Sequence, residues 1–273
     1  GLTLGRTAAL LAGLPRSVPG YAIDRMCAGA MTSVTTIAGA IAFGAYDVGI
    51  AGGVEHMGRH PMGFNADPNP RFLSEKLVSA DALNMGNTAE RIHDRFPALT
   101  KERSDRFAVG SQRKLAAAYE AGKIQTDLIP VATRSESGWG LATRDEAMRP
   151  DTTMEGLASL KTPFRPHGRV TAGNSSGLND GATVSIIANA DAARELGLPA
   201  KMRMVSFAFA GVEPEVMGIG PVPSTEKALK KAGLSITDIG LFELNEAFAV
   251  QVLSLLDHFG IDDEDPRVNP WGG

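Results

Sequence analysis

The first 55 residues are rich in small and apolar side chains, and the spacing of the apolar positions changes along them. "YAID" (21–24) reads as a short strand leading into Cys27. Met31, Val34, Ile37, Ala38 and Ile41 then follow at the three- and four-residue steps of one helix face, and Gly44 is placed to stop that helix. "DVGIAGGV" (47–54) is a short apolar run bounded by glycines, the pattern of a buried parallel strand. Strand, helix and strand in alternation predict an α/β architecture.

From about residue 58 to 175 the pattern breaks into prolines, charges and irregular stretches such as "GRHPMGFNADPNPRF" and "RDEAMRPDTTMEG". Two helices remain legible there: one near 81–95, and a longer one over 100–122 with Thr100 as N-cap and Gly122 at its end. This stretch reads as an insertion or lid outside the main sheet. After Gly181, "ATVSIIANA" resumes a strand pattern. "VPSTEKALKKAGL" is a helix with Ser224 as expected N-cap and Gly233 as stop. "DIGLFEL" (238–244) reads as a strand, and "NEAFAVQVLSLLDHFG" as a helix ending at Gly260. Twice a strand passes into a polar residue opening an apolar helix, at Cys27 and at Asn245, which hints at two related halves.

Composition narrows the function classes. A net charge of −4 speaks against nucleic acid as a partner. One cysteine excludes an internal disulfide and fits a reducing compartment. No apolar run approaches the roughly 20 residues that span a bilayer. The five histidines show no metal-ligand spacing, although His56 and His60 flank the end of the 47–54 run. The glycine-containing segments match neither a Walker loop nor a dinucleotide fingerprint.

Cys27 supports two readings at this point. Free cysteines commonly pack as small hydrophobes. A cysteine at a strand-to-helix junction is instead exposed above a sheet edge, where the helix N-terminus favours a thiolate and a backbone N–H can serve an oxyanion.

Several segments taken together resemble the thiolase family, the acyl-CoA acetyltransferases and 3-ketoacyl-CoA thiolases. "DRMCAGAM" resembles the nucleophile segment N-R-x-C-x-S-G, and "AGGVEHMG" the A-G-G-x-E-x-M segment. "NMGNTAE" resembles M-G-x-T-A-E, "VTAGNSSGLNDGA" the loop on the pantetheine side, and "FELNEAFA" the N-E-A-F block. "GLTLGRTAALLAGLP" resembles the helix preceding the nucleophile strand. The matches fall in unbroken order over essentially the whole chain.

The resemblance implies a five-layered αβαβα sandwich of two similar halves with an inserted loop domain. Its divisions would be 1–58 with 176–199 for the first half, 59–175 for the loop domain and 200–273 for the second half. Cys27 would carry the acyl group as nucleophile, and Asn245 would hold a water in an oxyanion hole. Met85, Phe164, Ser176, Met217, Ala247 and Phe248 would line the pantetheine arm of coenzyme A. Apart from the resemblance, Met85 and Met217 read as core gap-fillers.

The implied activity is acyl transfer between CoA thioesters, with thiolytic cleavage of 3-ketoacyl-CoA in β-oxidation favoured. A biosynthetic acetoacetyl-CoA enzyme and a non-catalytic CoA-binding fragment are the alternatives. A related ketoacyl synthase is disfavoured by "NEAFA" and "VTAGNSSGLNDGA". CoA enters as substrate, and neither a metal nor a further cofactor is expected. The family also implies a homodimer or homotetramer and association with other β-oxidation enzymes, and the reducing compartment that the single cysteine fits leads us to expect a cytoplasmic location. Which arginine meets the CoA phosphates stays open among Arg71, Arg91, Arg134, Arg149 and Arg165.

Three departures from the family pattern stand out. Many members carry histidine where this chain has Asn84, a position that bears on acyl-chain class. A Gly-His-Pro turn and a later Cys-x-Gly segment, which would supply the activating histidine and a second acid/base cysteine, do not occur in residues 1–273. The opening strand and helix of the first half are missing too, so the sequence reads as a piece lacking both termini. A purified 1–273 polypeptide is therefore expected to show negligible thiolysis, and family-level turnover in an assay that follows CoA-dependent loss of 3-ketoacyl-CoA would refute this.

Overall fold

The computed structural model describes residues 3–64 and 67–273. Gly1 and Leu2 of the opening segment, and Asn65 and Ala66 of the irregular stretch, lie outside the described residues. In chain order the first elements are α1 (Leu4–Leu11), α2 (Gly29–Ala42), β1 (Val48–Glu55), α3 (Arg71–Ser74), α4 (Met85–Arg95) and α5 (Lys101–Glu120). There follow β2 (Val131–Ser135), β3 (Gly138–Ala142), α6 (Met154–Ala158), β4 (Gly181–Ala188), α7 (Ala190–Glu195), α8 (Pro221–Ala232) and α9 (Ala249–Phe259). They form two compact units, Gly1–Phe64 with Asn179–Val205, and Asn65–Leu178 with Ser206–Gly273. No helix among the described residues is long and apolar enough to cross a membrane.

In the first unit β1 pairs with β4, from Val48 opposite Ala188 to Glu55 opposite Gly181. The ladder is antiparallel, not the parallel pairing that the apolar run predicts. The run owes its apolar look to α2, which lies flush against one face of β1. A Cβ on Gly53 would stand 2.7 Å from the Ala30 Cβ, and one on Gly49 would stand 2.5 Å from the Ile37 Cγ2. The Ser33 hydroxyl donates to the Gly52 carbonyl at 2.8 Å, tying helix to strand. Gly44 ends the α2 segment with φ +81°, as the pattern predicts. The 21–24 segment is not a strand: it forms no ladder among the described residues, and the Tyr21 carbonyl packs against Gly5 of α1 instead.

The second unit is organised around α9, buried at every position from Ala249 to Leu256. Ala89 and Ile92 of α4, Phe107 of α5, and Leu99, Val170, Val216, Phe242, Ile261 and Val268 complete this core. The 100–122 helix forms as expected, with the Arg103 N–H donating to the Thr100 hydroxyl at 3.1 Å and Gly122 at φ +69°.

Other boundaries differ. The 81–95 helix is a 3₁₀ turn, Ala80–Leu83, followed by α4, and Asn84 between them caps α4 by accepting from Asn87 N–H at 3.3 Å. α8 starts at Pro221, whose missing N–H costs nothing in a first turn. Ser224 is consequently inside the helix, donating back to the Gly220 carbonyl at 3.1 Å. The 238–244 strand is reduced to one parallel bridge, Phe242 to Val268. In the irregular stretch β2 and β3 make an antiparallel hairpin. It is exposed along nearly all its length, so it has no apolar alternation to read.

The contact between α2 and β1 leaves no room for a side chain at Gly53. Gly53→Ala is expected to lower stability by about 1–3 kcal/mol, the usual cost of overpacking, measured by urea denaturation. An unchanged midpoint would show that the helix is free to shift.

Candidate functional site

Cys27 belongs to the first unit. It sits in a 3₁₀ turn, Met26–Ala28, immediately before α2, and is exposed. Met26 has φ +45°, an unusual left-handed conformation for a methionine. The Asp24 carboxylate supports it by accepting the Met26 N–H at 2.8 Å. The Ala28 N–H donates to the Arg25 carbonyl at 3.0 Å, closing the turn. A Cβ on Gly29 would meet nothing within 4 Å, so the backbone beside the thiol is open to a ligand. The expected junction is therefore half present: a helix follows Cys27, but a strained turn precedes it in place of a strand.

α2 runs antiparallel to β1, since Ala30 meets Gly53 and Ile37 meets Gly49. Its N-terminus and the end of β1 thus share one end of this unit. His56, the residue after β1, lies there with its Nδ1 2.9 Å from an Asp180 carboxylate oxygen. His60 packs edge-on to Phe64, ring centroids 5.7 Å apart.

The remaining candidates lie in the second unit. Met85 opens α4, half-buried, and the next residue, Gly86, is covered so closely by the Phe164 ring that a Cβ would collide with it. Ser176 is exposed, and its N–H donates to the Ala247 carbonyl at 3.0 Å, beside a bridge from Ser175 to Phe248. This contact brings Ser176, Ala247 and Phe248 together. Met217 is exposed on the Pro214–Ile219 turn, where a Cβ on neighbouring Gly218 would stand 2.8 Å from Ile92 of α4 and 3.1 Å from Gln251 of α9.

Asn245 does not open α9 as expected. It lies in an extended approach whose backbone partners are already taken. Asn269, fully buried, accepts the Leu244 N–H at 2.7 Å and donates to the Leu244 carbonyl at 2.9 Å and to Glu246 at 2.6 Å. The Asn245 side chain is exposed and bonds to none of the described residues.

Two buried carboxylates escaped the sequence reading. Glu90 of α4 accepts the Arg169 and Val170 N–H groups at 2.7 and 2.8 Å and stands 3.0 Å from the Arg165 guanidinium. Asp105 of α5 accepts from Asn174 at 2.9 Å and from Lys101 at 2.5 Å. The signal for Glu90 is its place four residues after Gly86, on the helix face that buries Ala89 and His93.

Among the candidate arginines, Arg71, Arg91 and Arg165 are engaged by Glu75, Asp81, and Glu90 with Asp94. The Asp94 carboxyl is held below its usual range, first by its hydrogen bonds to Arg165. The Arg134 and Arg149 side chains form no ion pair among the described residues. No group of three or more His, Cys, Asp or Glu among these residues is placed to hold a metal ion. A cavity of about 550 Å³ opens beside β3, lined by Arg144, Asp145 and Met148, and contains none of the candidate residues.

Comparison with known proteins settles the class. Residues 1–191 match the family model of the thiolase N-terminal domain, and residues 198–273 that of the thiolase C-terminal domain. The chain belongs to the thiolase family and has its α/β fold. It is 42% identical to a 3-ketoacyl-CoA thiolase of Aliivibrio fischeri, over 100% of this chain and 70% of that protein. It is 41% identical to the peroxisomal 3-ketoacyl-CoA thiolase A of Rattus norvegicus, over 100% of this chain and 63% of that one. The crystal structure of human mitochondrial 3-ketoacyl-CoA thiolase superposes with a TM-score of 0.88 at 33% identity, covering 99% of this chain and 70% of that one. The chain thus spans about two thirds of the length of these relatives.

His93 sits beside Glu90, fully buried. Its Nδ1 lies 2.5 Å from the Leu99 carbonyl and so carries the proton, while Nε2 faces no partner. Burial pushes its pKa below 6.5; the Leu99 carbonyl and Glu90 oppose this, and Arg169 and Arg165 reinforce it. The folded protein therefore binds fewer protons than the unfolded chain just below pH 6.5. The stability contributed by neutral His93 is fully present above that pH and is lost as pH falls toward the lowered folded value. The slope should reach at most about 1.4 kcal/mol per pH unit. It should be absent from His93→Gln in urea unfolding between pH 5 and 7.5; an equal slope in both proteins would contradict this.

Proposed function

We propose that this protein is a thiolase acting on 3-ketoacyl-CoA, with Cys27 as the residue that carries the acyl group. The observation that carries the reading is the exposed Cys27 in its strained turn at the N-terminus of α2. A buried cysteine in a relaxed helix would have supported the packing role instead.

The Cys27 sulfur attacks the 3-keto carbon, and the C2–C3 bond breaks. The departing acetyl-CoA carbanion takes a proton, and the acyl group remains as a thioester on the sulfur. A second CoA thiol then takes the acyl group and frees Cys27. Both steps pass through an oxyanion, which the Cys27 N–H, the one amide of the Met26–Ala28 turn not engaged by Asp24 or Arg25, would stabilise in one case and a water on Asn245 in the other. The unengaged Asn245 side chain fits that use. Met85, Phe164, Ser176, Met217, Ala247 and Phe248 would line the pantetheine arm, and the free guanidinium groups of Arg134 and Arg149 are the better candidates for the CoA phosphates. CoA is a substrate here, and the reading needs neither metal nor cofactor.

The proposed domains are those implied by the family: two thiolase halves with the 59–175 segment as a loop domain. A homodimer or homotetramer, association with other β-oxidation enzymes and a cytoplasmic location complete the proposal; the single cysteine supports a reducing compartment. A biosynthetic acetoacetyl-CoA enzyme would use the same Cys27 in the opposite direction.

Incubating the full-length protein with acetyl-CoA should add one acetyl group to the intact mass. Cys27→Ala should remove it. No adduct on the parent, or an adduct persisting in the variant, would overturn the assignment.

A further inference from the structure

We propose that Glu90 and Asp105 are positioning residues, which hold the 164–176 loop in the shape that binds the pantetheine arm. The inference rests on the functional reading above and goes beyond it by assigning residues that do not touch the substrate. The loop carries Phe164 at one end and Ser176 at the other. Between them it is fastened from both sides by carboxylates that are almost completely buried, 1% exposed at Glu90 and 2% at Asp105.

Glu90 works from α4. One carboxylate oxygen accepts two consecutive loop amides, Arg169 and Val170, at 2.7 and 2.8 Å, and the other faces Arg165 at 3.0 Å. Arg165 in turn grips Asp94 with two bonds at 2.7 and 2.8 Å. The loop comes so close to Glu90 that a Cβ on Gly168 would collide with the carboxylate.

Asp105 works from α5. It accepts the Asn174 amide at 2.9 Å, while the same amide donates to the Arg169 carbonyl at 3.0 Å and its oxygen accepts the Thr171 N–H at 2.9 Å. The Ser175 hydroxyl closes the turn onto the Thr171 carbonyl at 2.7 Å.

Buried charge is costly unless fully satisfied, and apolar contacts alone would serve mere stability at least as well. What directional bonds from two helices add is a fixed loop path. That path ends where Phe164 covers Gly86 and where Ser176 hooks onto Ala247. A loosened loop would therefore weaken the grip on CoA and leave the bond-breaking steps at Cys27 as they are.

The test uses full-length protein with CoA varied in steady-state thiolysis. Glu90→Ala should raise KM for CoA about tenfold with kcat changed less than about threefold, the signature of lost ground-state positioning. Glu90→Gln, which keeps an oxygen for the two loop amides, should recover most of the loss. A Glu90→Ala protein with unchanged KM, or with kcat and kcat/KM falling in parallel, would overturn the inference. Should Glu90→Ala fail to fold, Asp105→Ala, which removes the oxygen that accepts the Asn174 amide, tests the second anchor by the same split, and an unchanged KM there overturns the inference equally. Cys27→Ser separates the two levels. If it retains turnover, the functional reading itself falls. If it is dead while the anchor variants keep a parental KM, only the loop inference falls.

Discussion

A helix buried on every side over two turns has to be enclosed, and α9 imposes that demand on the whole second unit. All eight residues from Ala249 to Leu256 are buried, so no face is left for water. α4 and α5 supply walls, the Pro214–Ile219 turn closes against Gln251 through Gly218, and Val268 and Ile261 fill the remaining side. The chain can reach such a helix only through an approach whose own backbone groups are satisfied. Asn269 meets that need at Leu244 and Ser176 at the Ala247 carbonyl. The extended path of Asn245 follows from enclosing α9.

The first unit solves a different problem with smaller parts. Its helix must lie close enough to the sheet that Cys27 is presented beyond the strand end. Glycines at 49 and 53 and alanine at 30 make that approach. The turn before α2 then has to change direction within very few residues, which forces Met26 to positive φ. Such strain persists where the surroundings over-determine it, and here the Asp24 cap and the rigid α2 contact do so. Small residues and a strained turn together place one thiol at the surface.

How much of this was legible depended on whether an element carried its own signal. The 100–122 helix has a capping threonine, apolar periodicity and a terminal glycine, and it formed as read. The α4 start was blurred because Asn84 is both the end of a 3₁₀ turn and the cap of the next helix. The 21–24 and 238–244 segments have strand composition, yet strands exist only by pairing, and composition does not identify a partner. The antiparallel register of β1 was hidden for a related reason: its glycines read as two-sided burial when they serve one close helix. Ser224 misled because serine bonds equally well as a cap and back to the preceding turn.

Candidate residues show the same division. Cys27 and Asn245 could be singled out from ordered motifs because reactive groups must face outward and need little else from local sequence. Asp105 was silent and Glu90 carried only its place on the helix face of Ala89 and His93, because residue type alone does not separate a buried carboxylate from a solvated one. Their meaning arises from residues 69 to 80 positions away along the chain. Unlike the exposed groups, they cannot be satisfied by water, so the fold must bring donors to them. That necessity makes the 164–176 loop as well determined as a helix. Regular structure holds its shape through repeated local bonds; this loop holds its shape through a few long-range bonds to buried charge.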